Sequence, residues 1–453
     1  MKIRFITPAA GIRRNAIYRF GGKLYGHSNS ITGPLILGHI LKNAGHDVEV
    51  YEELNGSVDY AGMMDADVYC ISTMTSTSAR AYELADMFHR ETGGRVIIGG
   101  MHSSFLPGEA ALHADQVMTG EGERVILDMV EGRLTDPIVH ARYVEDLDSI
   151  PFPDYSILKT PCKAANVMST RGCPFCCSFC TTSRMFHPYR KRSVDSVIEE
   201  LRLYKRQGFR YMNFEDDNFT ADKQRAKEIC RRMIGEGLVF KETFFFGRAD
   251  MADDEELLDL LAKAHLTRVL VGIESLNQQS LDLVHKHQKI SDIERCAKAL
   301  ARHKIRLIAS LVLGIDTDSK EDIQHGVDFA RDIHAYQLQP AILTPFYGTE
   351  TYQQYESEGR MLTKNWEVFD LTNVTFQPKN MTPWELQKQF LLSVRRFYTF
   401  FSSFPIMRLF GFKYALRRQE LALAIRWGTR FLRLEANVGK NTYIYALKHG
   451  TVN

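Results

Sequence analysis

The chain carries almost no excess of charge: 57 Lys and Arg stand against 55 Asp and Glu, a formal net charge of +2 over 453 residues. A balance this even gives no reason to expect a nucleic-acid partner. Long apolar runs are also missing, and nothing approaches the roughly 18 residues of a membrane span. Met1-Lys-Ile-Arg-Phe-Ile-Thr-Pro is a strand-like run, not a charged segment followed by a long apolar stretch, so no signal peptide is expected. A disulfide framework is lacking too, because Cys70, Cys162, Cys230 and Cys296 lie scattered along the chain. With 44% hydrophobic and 25% charged residues, what remains is an ordinary soluble globular composition. The length gives room for two or three domains.

The other four cysteines are crowded. Cys173, Cys176, Cys177 and Cys180 fall within Thr170-Arg-Gly-Cys-Pro-Phe-Cys-Cys-Ser-Phe-Cys. A structural zinc site wants four Cys or His ligands in two pairs, and no second pair follows at zinc-ribbon distance. Thiolates clustered this tightly can instead hold an iron–sulfur cluster. Thiolate chemistry leaves two registers open: Cys173, Cys177 and Cys180 give C-x3-C-x2-C, whereas Cys173, Cys176 and Cys180 give C-x2-C-x3-C.

The first of these spacings resembles the signature of radical S-adenosylmethionine (AdoMet) enzymes. The resemblance implies a [4Fe-4S] cluster on Cys173, Cys177 and Cys180, with Cys176 as a spare thiol. It also implies that AdoMet chelates the open iron and is cleaved reductively to a 5'-deoxyadenosyl radical. An oxygen-sensitive cluster would require anaerobic handling and a reduced, cytoplasmic location.

Residues 1–132 alternate apolar runs with helical periods. Strands are predicted at 2–8, 46–52, 66–73, 95–100 and 116–120, and helices at 32–43, 78–91 and 122–131. This is the βαβ grammar of a doubly wound, Rossmann-like parallel sheet, which binds ligands at the carboxyl ends of its strands. Ser72, Thr73, Thr75 and Ser76 supply hydroxyls at one such end, Gly99, Gly100 and His102 follow the next, and Gly120 and Glu121 the fifth. On physical grounds these are equally the tight turns of a structural flavodoxin-like domain. The stretch Ile97-Ile-Gly-Gly-Met-His-Ser-Ser, followed by Thr119-Gly-Glu-Gly-Glu, resembles the cobalamin-binding domain attached to many radical AdoMet enzymes. The Asp-x-His-x-x-Gly element of domains that coordinate cobalt through histidine has no match in residues 8–45. Cobalamin is therefore expected without a protein histidine on cobalt; a domain that no longer binds it is the rival expectation.

A linker spans 133–160, where Ile150-Pro-Phe-Pro-Asp reads as an extended crossing segment. Strand and helix alternation resumes over 161–358. Strands are expected at 165–169, 211–215, 243–248, 269–274, 306–312 and 339–343, with helices at 194–207, 222–236, 254–264, 290–303 and 321–334. Six βα units match the partial (β/α)6 TIM-type barrel of the radical AdoMet family, with chemistry at the strand carboxyl ends. By that resemblance Glu215, Asp216 and Asp217 are candidates for the AdoMet ammonium, and Arg248 for its carboxylate or a substrate anion. Glu274 and Ser275 would lie near its ribose or amino-acid end, and Gly314 near its adenine. A solvated acidic turn is the plainer reading of 215–217. Thr344-Pro-Phe-Tyr-Gly-Thr resembles the closing Pro-x-Pro-Gly-Thr element, with Tyr347 in place of the second proline.

Residues 359–453 turn helical. Arg395, Arg396, Arg408, Lys413, Arg417, Arg418, Arg426, Arg430 and Arg433 interleave with Phe397, Tyr398, Phe400, Phe401, Phe404, Phe410, Phe412, Tyr414, Trp427 and Phe431, against only Glu420 and Glu435. Such a segment, here 390–433, can lie on an anionic membrane face or line an apolar substrate entrance; equally, it can cap the barrel with its arginines solvated. Taken whole, the chain resembles cobalamin-dependent radical AdoMet enzymes, the anaerobic Mg-protoporphyrin cyclase group among them. Three functions follow as expectations: C-methylation of a small or lipid-like substrate; radical cyclisation or rearrangement without methyl transfer; or a cluster-bearing redox or binding protein. An electron donor of the flavodoxin or ferredoxin type is the expected partner.

Overall fold

The computed structural model describes residues 1–10, 30–399, 401–440 and 442–452. Two compact units result, one of residues 1–172 with 185–209, the other of residues 173–184 with 210–453.

In the first unit, strands β1 (Lys2–Thr7), β2 (Asp47–Glu52), β3 (Val68–Thr73), β4 (Arg95–Gly100), β5 (Gln116–Gly120) and β6 (Ile138–Ala141) form one sheet in the order β2-β1-β3-β4-β5-β6. All its pairings are parallel. Alternation along the strands shows why the sheet is double-sided. Val68 and Cys70 of β3 join Ile3, Phe5 and Ile97 on one face, while Tyr69 and Ile71 join Ile6, Val96 and Ile98 on the other. Both layers are apolar, so the strands read as near-continuous hydrophobic runs. The chain reverses its direction of winding between β1 and β3, and in such sheets the crevice outside that point is the ligand site. Residues 11–29, which follow β1 and form part of the stretch searched for a cobalt-ligating histidine, lie outside the described residues.

Differences from expectation appear here, beginning with short helices Met101–Phe105 and Pro107–Ala110 between β4 and β5. The sheet gains β6 beyond residue 132, and the helix expected at 122–131 is a 3-10 turn, Gly122–Arg124, followed by a short helix, Ile126–Val130. Gly122 lies so close to Met118 that a Cβ would meet its sulfur at 2.4 Å, and this crowding accompanies the tighter first turn. The proline segment is largely without regular structure, broken by short turns at Leu147–Ser149 and Tyr155–Ile157, and Ile157 is buried in the first unit's core. The strand β7 (Ala164–Val167) and the two-residue pair β8 (Thr170–Arg171) and β9 (Arg190–Lys191) complete the unit's strands.

In the second unit, β10 (Tyr211–Phe214), β11 (Glu242–Gly247), β12 (Leu266–Glu274), β13 (Arg306–Leu313) and β14 (Gln337–Ile342) pair in sequence order, all parallel. Helices return the chain between them, and their starts are written in the sequence. Asp222, Asp254 and Ser319 each accept a backbone N–H of the first turn, a cap worth about 1 kcal/mol apiece. This is the α/β architecture of successive βα units, and all five strand carboxyl ends share one edge.

The C-terminal helices Pro383–Phe397, Phe404–Phe410, Phe412–Val438 and Tyr443–His449 belong to the same unit. Arg418 is 1% exposed. Its guanidinium donates to Tyr336 O at 3.0 Å and to the Ser402 and Ser403 hydroxyls, between the rings of Phe397 and Tyr398. Burial lowers its pKa to about 10. Arg396 forks onto Asp328. Part of the basic segment is therefore a structural cap, while Phe400 lies outside the described residues.

Candidate cluster and cofactor sites

The cysteine loop is held from below by backbone. Ser178 N–H donates to Val284 O at 3.2 Å, Thr351 N–H donates to Ser178 O at 3.2 Å, and Cys180 N–H closes onto Cys177 O at 3.1 Å. Thr351 lies in the helix Glu350–Ser357, which Thr349 caps in the closing element, and Glu350 of that helix meets Arg184 at 2.5 Å. Cys176 is exposed, whereas Cys173, Cys177 and Cys180 are half-buried. Burial pushes the Cys173 thiol up to about 11, and charge on Cys177 or Cys180 pushes the same way, so the three stand within electrostatic reach of one another. Cys177 is also raised by burial, opposed by Lys286. Among the described residues no three Cys, His, Asp or Glu side chains converge on one point as ligands of a single ion. A cluster asks for something else, since each thiolate binds a different iron, and three half-buried thiols within electrostatic reach of one another fit that need.

A second layer braces this loop. The Arg248 guanidinium lies 3.8 Å over the ring of Phe175, inside the loop, and donates to the carbonyls of Lys286 at 2.8 Å and His287 at 3.1 Å. Among the described residues its buried Nε has no hydrogen-bond partner, and Asp250 stands 3.9 Å away. Lys286 turns its ammonium onto Glu274 at 2.6 Å, with both side chains buried. The pair crosses directly over Gly272, where a Cβ would lie 2.2 Å from the Glu274 carboxylate. Glu274 itself sits at φ +62°, at a register shift in β12, and His285 and His287 on either side of Lys286 are also left-handed. Strained non-glycine backbone of this kind persists only where the surroundings over-determine it.

The acidic turn after β10 divides its residues. Asp216 is fully buried and Glu215 half-buried. Asp217 opens to solvent but is hemmed in by protein, and that desolvation pushes its carboxyl up to about 6 against a hydrogen bond from Thr182, with Asp216 adding to the rise. Ser275 donates to Asp318 at 3.0 Å, as does Ser280 at 2.6 Å. Burial nevertheless holds Asp318 up near 6. Gly314 has φ +91°, and the space a Cβ would take is filled by Leu386 of the helix Pro383–Phe397, not left open for a ligand.

In the first unit, the half-exposed hydroxyls of Ser72, Thr75 and Ser76 lie at the β3 end and take no partner among the described residues. Thr73 is committed: it donates to Gly99 O at 2.9 Å and accepts from Ser103 N–H at 3.2 Å. Gly100, at φ +108°, packs so tightly that a Cβ would stand 2.5 Å from Thr73 O, and Gly120 is equally close to Ala141 O. Ser104 ties Gly100 O to Gly120 N–H. His102 is buried with Nε2 3.3 Å from Glu109, and burial lowers its pKa. Glu121 spends both oxygens internally, on Arg190 at 2.5 Å, Arg171 at 3.1 Å and Val144 N–H at 2.6 Å. Burial raises its pKa, but these partners leave it lowered on balance. The strand ends thus offer free hydroxyls and close-packed backbone, which suits a large polar-edged ligand. Lys286, Phe175, Thr182 and Asp318 belong to the second unit's strand-end network and escaped the sequence reading, because only folding brings them there.

Residues 31–129 match the B12 binding domain, and residues 167–330 match the Radical SAM superfamily. Over 386 residues the chain is 28% identical to a bacteriochlorophyllide d C-8(2)-methyltransferase of Chlorobaculum tepidum, covering 78% of this chain and 82% of that protein. Over 387 residues it is 26% identical to an anaerobic magnesium-protoporphyrin IX monomethyl ester cyclase of Cereibacter sphaeroides, covering 77% of this chain and 61% of that one. The structure of the radical S-adenosylmethionine methyltransferase TsrM of Kitasatospora setae, with cobalamin and a [4Fe-4S] cluster bound, shares the fold at a TM-score of 0.65. Identity there is 15%, over 95% of this chain and 99% of that chain.

Proposed function

We propose that this cobalamin-dependent radical SAM enzyme methylates an unactivated carbon of an apolar, lipid-like or tetrapyrrole substrate. The observation that carries the reading is the half-buried set Cys173, Cys177 and Cys180, with Cys176 turned outward, in a chain that also carries a B12-binding domain. The methyltransferase relative supports methylation over other outcomes of radical chemistry. When bound, the cluster supplies an electron for AdoMet cleavage and cobalamin supplies a methyl carrier.

The chain's own residues do the positioning. Cys173, Cys177 and Cys180 are the thiolate ligands. Arg248, whose Nε has no hydrogen-bond partner among the described residues, holds the loop through Phe175 and would take an anionic group, the AdoMet carboxylate being the chemically matched one. Glu215 and Asp217 offer carboxylates to the AdoMet ammonium. Glu274 is held by Lys286, and Ser275 is set by Asp318. Ser72, Thr75 and Ser76, at the β3 end, would offer hydroxyls to cobalamin. Electrons come from a donor of the flavodoxin or ferredoxin type. In net terms R–H, two AdoMet and two electrons give R–CH3, S-adenosylhomocysteine, 5'-deoxyadenosine and methionine.

The test is anaerobic reconstitution with iron, sulfide and cobalamin, followed by AdoMet and a strong reductant. Formation of 5'-deoxyadenosine is expected, and its absence would leave a redox or binding protein. S-adenosylhomocysteine in step with 5'-deoxyadenosine is the signature of methylation; 5'-deoxyadenosine alone, with substrate converted, would instead favour the cyclase-like reading that the second relative suggests.

A further inference from the structure

The helix Phe412–Val438 has a buried face of small and polar residues and a separate apolar face that is exposed. Its buried positions, Ala415, Arg418, Ala422, Thr429 and Ala436, fall within about 60° of arc at about 100° per residue. A second set is exposed: Phe412 70%, Leu416 48%, Leu423 67%, Trp427 61%, Leu434 57% and Val438 65%. These six repeat at intervals of four and seven, an 11-residue period. They share about 80° of arc, centred about 130° from the buried face. Phe401 and Phe404, 76% and 50% exposed, precede the helix. An outward stripe this long, lying nearly 40 Å along one helix at about 1.5 Å per residue, exceeds the scattered apolar residues of an ordinary surface.

Its charged neighbours name the occupant. Lys413, Arg417, Arg426 and Arg430 are exposed on or beside the stripe, where the acidic groups are Glu420 and the half-buried Glu435. Among the described residues none of these four basic side chains takes an acidic partner. Other surface helices of the chain behave differently, with Arg295 on Asp292, Lys298 on Glu294 and Arg396 on Asp328. No described helix is long and apolar enough to cross a membrane. Exposed leucine, phenylalanine and tryptophan along a helix flanked by unpaired cations are the chemistry of an interfacial helix. From these observations we infer that the outward stripe of Phe412–Val438 is a docking surface for an anionic lipid bilayer, lying in its plane. The inference does not depend on which C–H bond the enzyme attacks.

The experiment is sedimentation of the full chain with phosphatidylcholine vesicles, with and without phosphatidylserine, alongside thermal melts and analytical ultracentrifugation. The wild type should partition onto the anionic vesicles and release at high salt. Leu423→Glu with Trp427→Glu should lower the partition coefficient by about tenfold or more, at an unchanged melting temperature because both residues are exposed. Arg426→Glu with Arg430→Glu should lower it on anionic vesicles only, by about fivefold or more for each residue. Equal partition onto neutral and anionic vesicles would overturn the inference, as would indifference to the charge reversal. So would a dimer that the Leu423 and Trp427 variants dissociate while wild-type vesicle binding is absent, which would assign the stripe to a second copy of this chain.

Discussion

Replacing Lys286 by methionine should strand Glu274 in the second unit. The two side chains meet at 2.6 Å, at 9% and 8% exposure, and among the described residues Lys286 is the hydrogen-bond partner of the Glu274 carboxylate. Removing one member of such a pair leaves an uncompensated buried charge, at a cost of about 3–5 kcal/mol. For a unit of about 250 residues, each kcal/mol moves the midpoint by about 2–4 °C, so its transition should fall by about 6–20 °C. The double replacement Glu274→Leu with Lys286→Met removes both charges and should recover most of that loss. Gly272→Ala probes the same space from beneath. In an open strand alanine gains about 0.5–1 kcal/mol over glycine. Here its Cβ would stand 2.2 Å from Glu274 Oε1 and 2.5 Å from Lys286 Nζ, so overpacking should instead cost about 1–3 kcal/mol. Calorimetry of the full chain reads all three. A shift below about 2 °C for Lys286→Met, or a double variant no better than the single one, would refute the buried pair as the brace under β12.

Alanine at Cys173, Cys177 or Cys180 should abolish the iron content of about four per chain together with AdoMet cleavage, and Cys176→Ala should spare both; iron analysis with optical spectroscopy decides. Cobalamin on the protein should show no nitrogen superhyperfine splitting from a protein histidine in the electron paramagnetic resonance of its Co(II) form. Asp318 is held up near 6 by burial, against about 3.9 unfolded. Its contribution is therefore present in full below about pH 4 and lost as pH rises to about 6, so melts of the wild type should fall relative to Asp318→Asn across that window and run parallel above it.

The strands most legible from sequence were those apolar on both faces. Arg95–Gly100 and Gln116–Gly120 begin and end where the residues indicated, because turn residues bound a continuous hydrophobic run. The less legible strand starts carry charge. β12 begins at Leu266, three residues before the apolar run at Val269, since Arg268 lies 3.4 Å from Glu242 of β11, and Arg306 of β13 shares that carboxylate. A charged residue inside a strand looks like loop until its partner on the next strand is known. β6 is short and half-exposed, with no pattern to announce it.

Site residues were harder, because a glycine or acid at a strand end serves a ligand or another residue equally well in sequence. Gly314 faces Leu386, His102 faces Glu109, and Glu121 is shared between two arginines from distant segments. Ser72, Thr75 and Ser76 remain open, and nothing local distinguishes them from Thr73, which does not. The network around the cysteine loop needs Phe175, Arg248, Glu274 and Lys286 together, residues that no single window holds.

The C-terminal segment shows the same ambiguity in another form, because one helix carries both a buried face and an exposed apolar one. Composition offered a choice between a buried cap and a membrane-facing surface, as if one helix had to be one or the other. An apolar residue every third or fourth position fills a single stripe, but Phe412–Val438 carries more than one stripe can hold. Ala415, Ala422, Ala436 and Arg418 turn inward, whereas Phe412, Leu423 and Trp427 turn outward. A helix packed against the helices Pro383–Phe397, Phe404–Phe410 and Tyr443–His449 needs small residues on the covered face, and alanine supplies that. The division of large from small residues is thus what lets one helix close the second unit on one side while leaving an apolar face toward solvent on another.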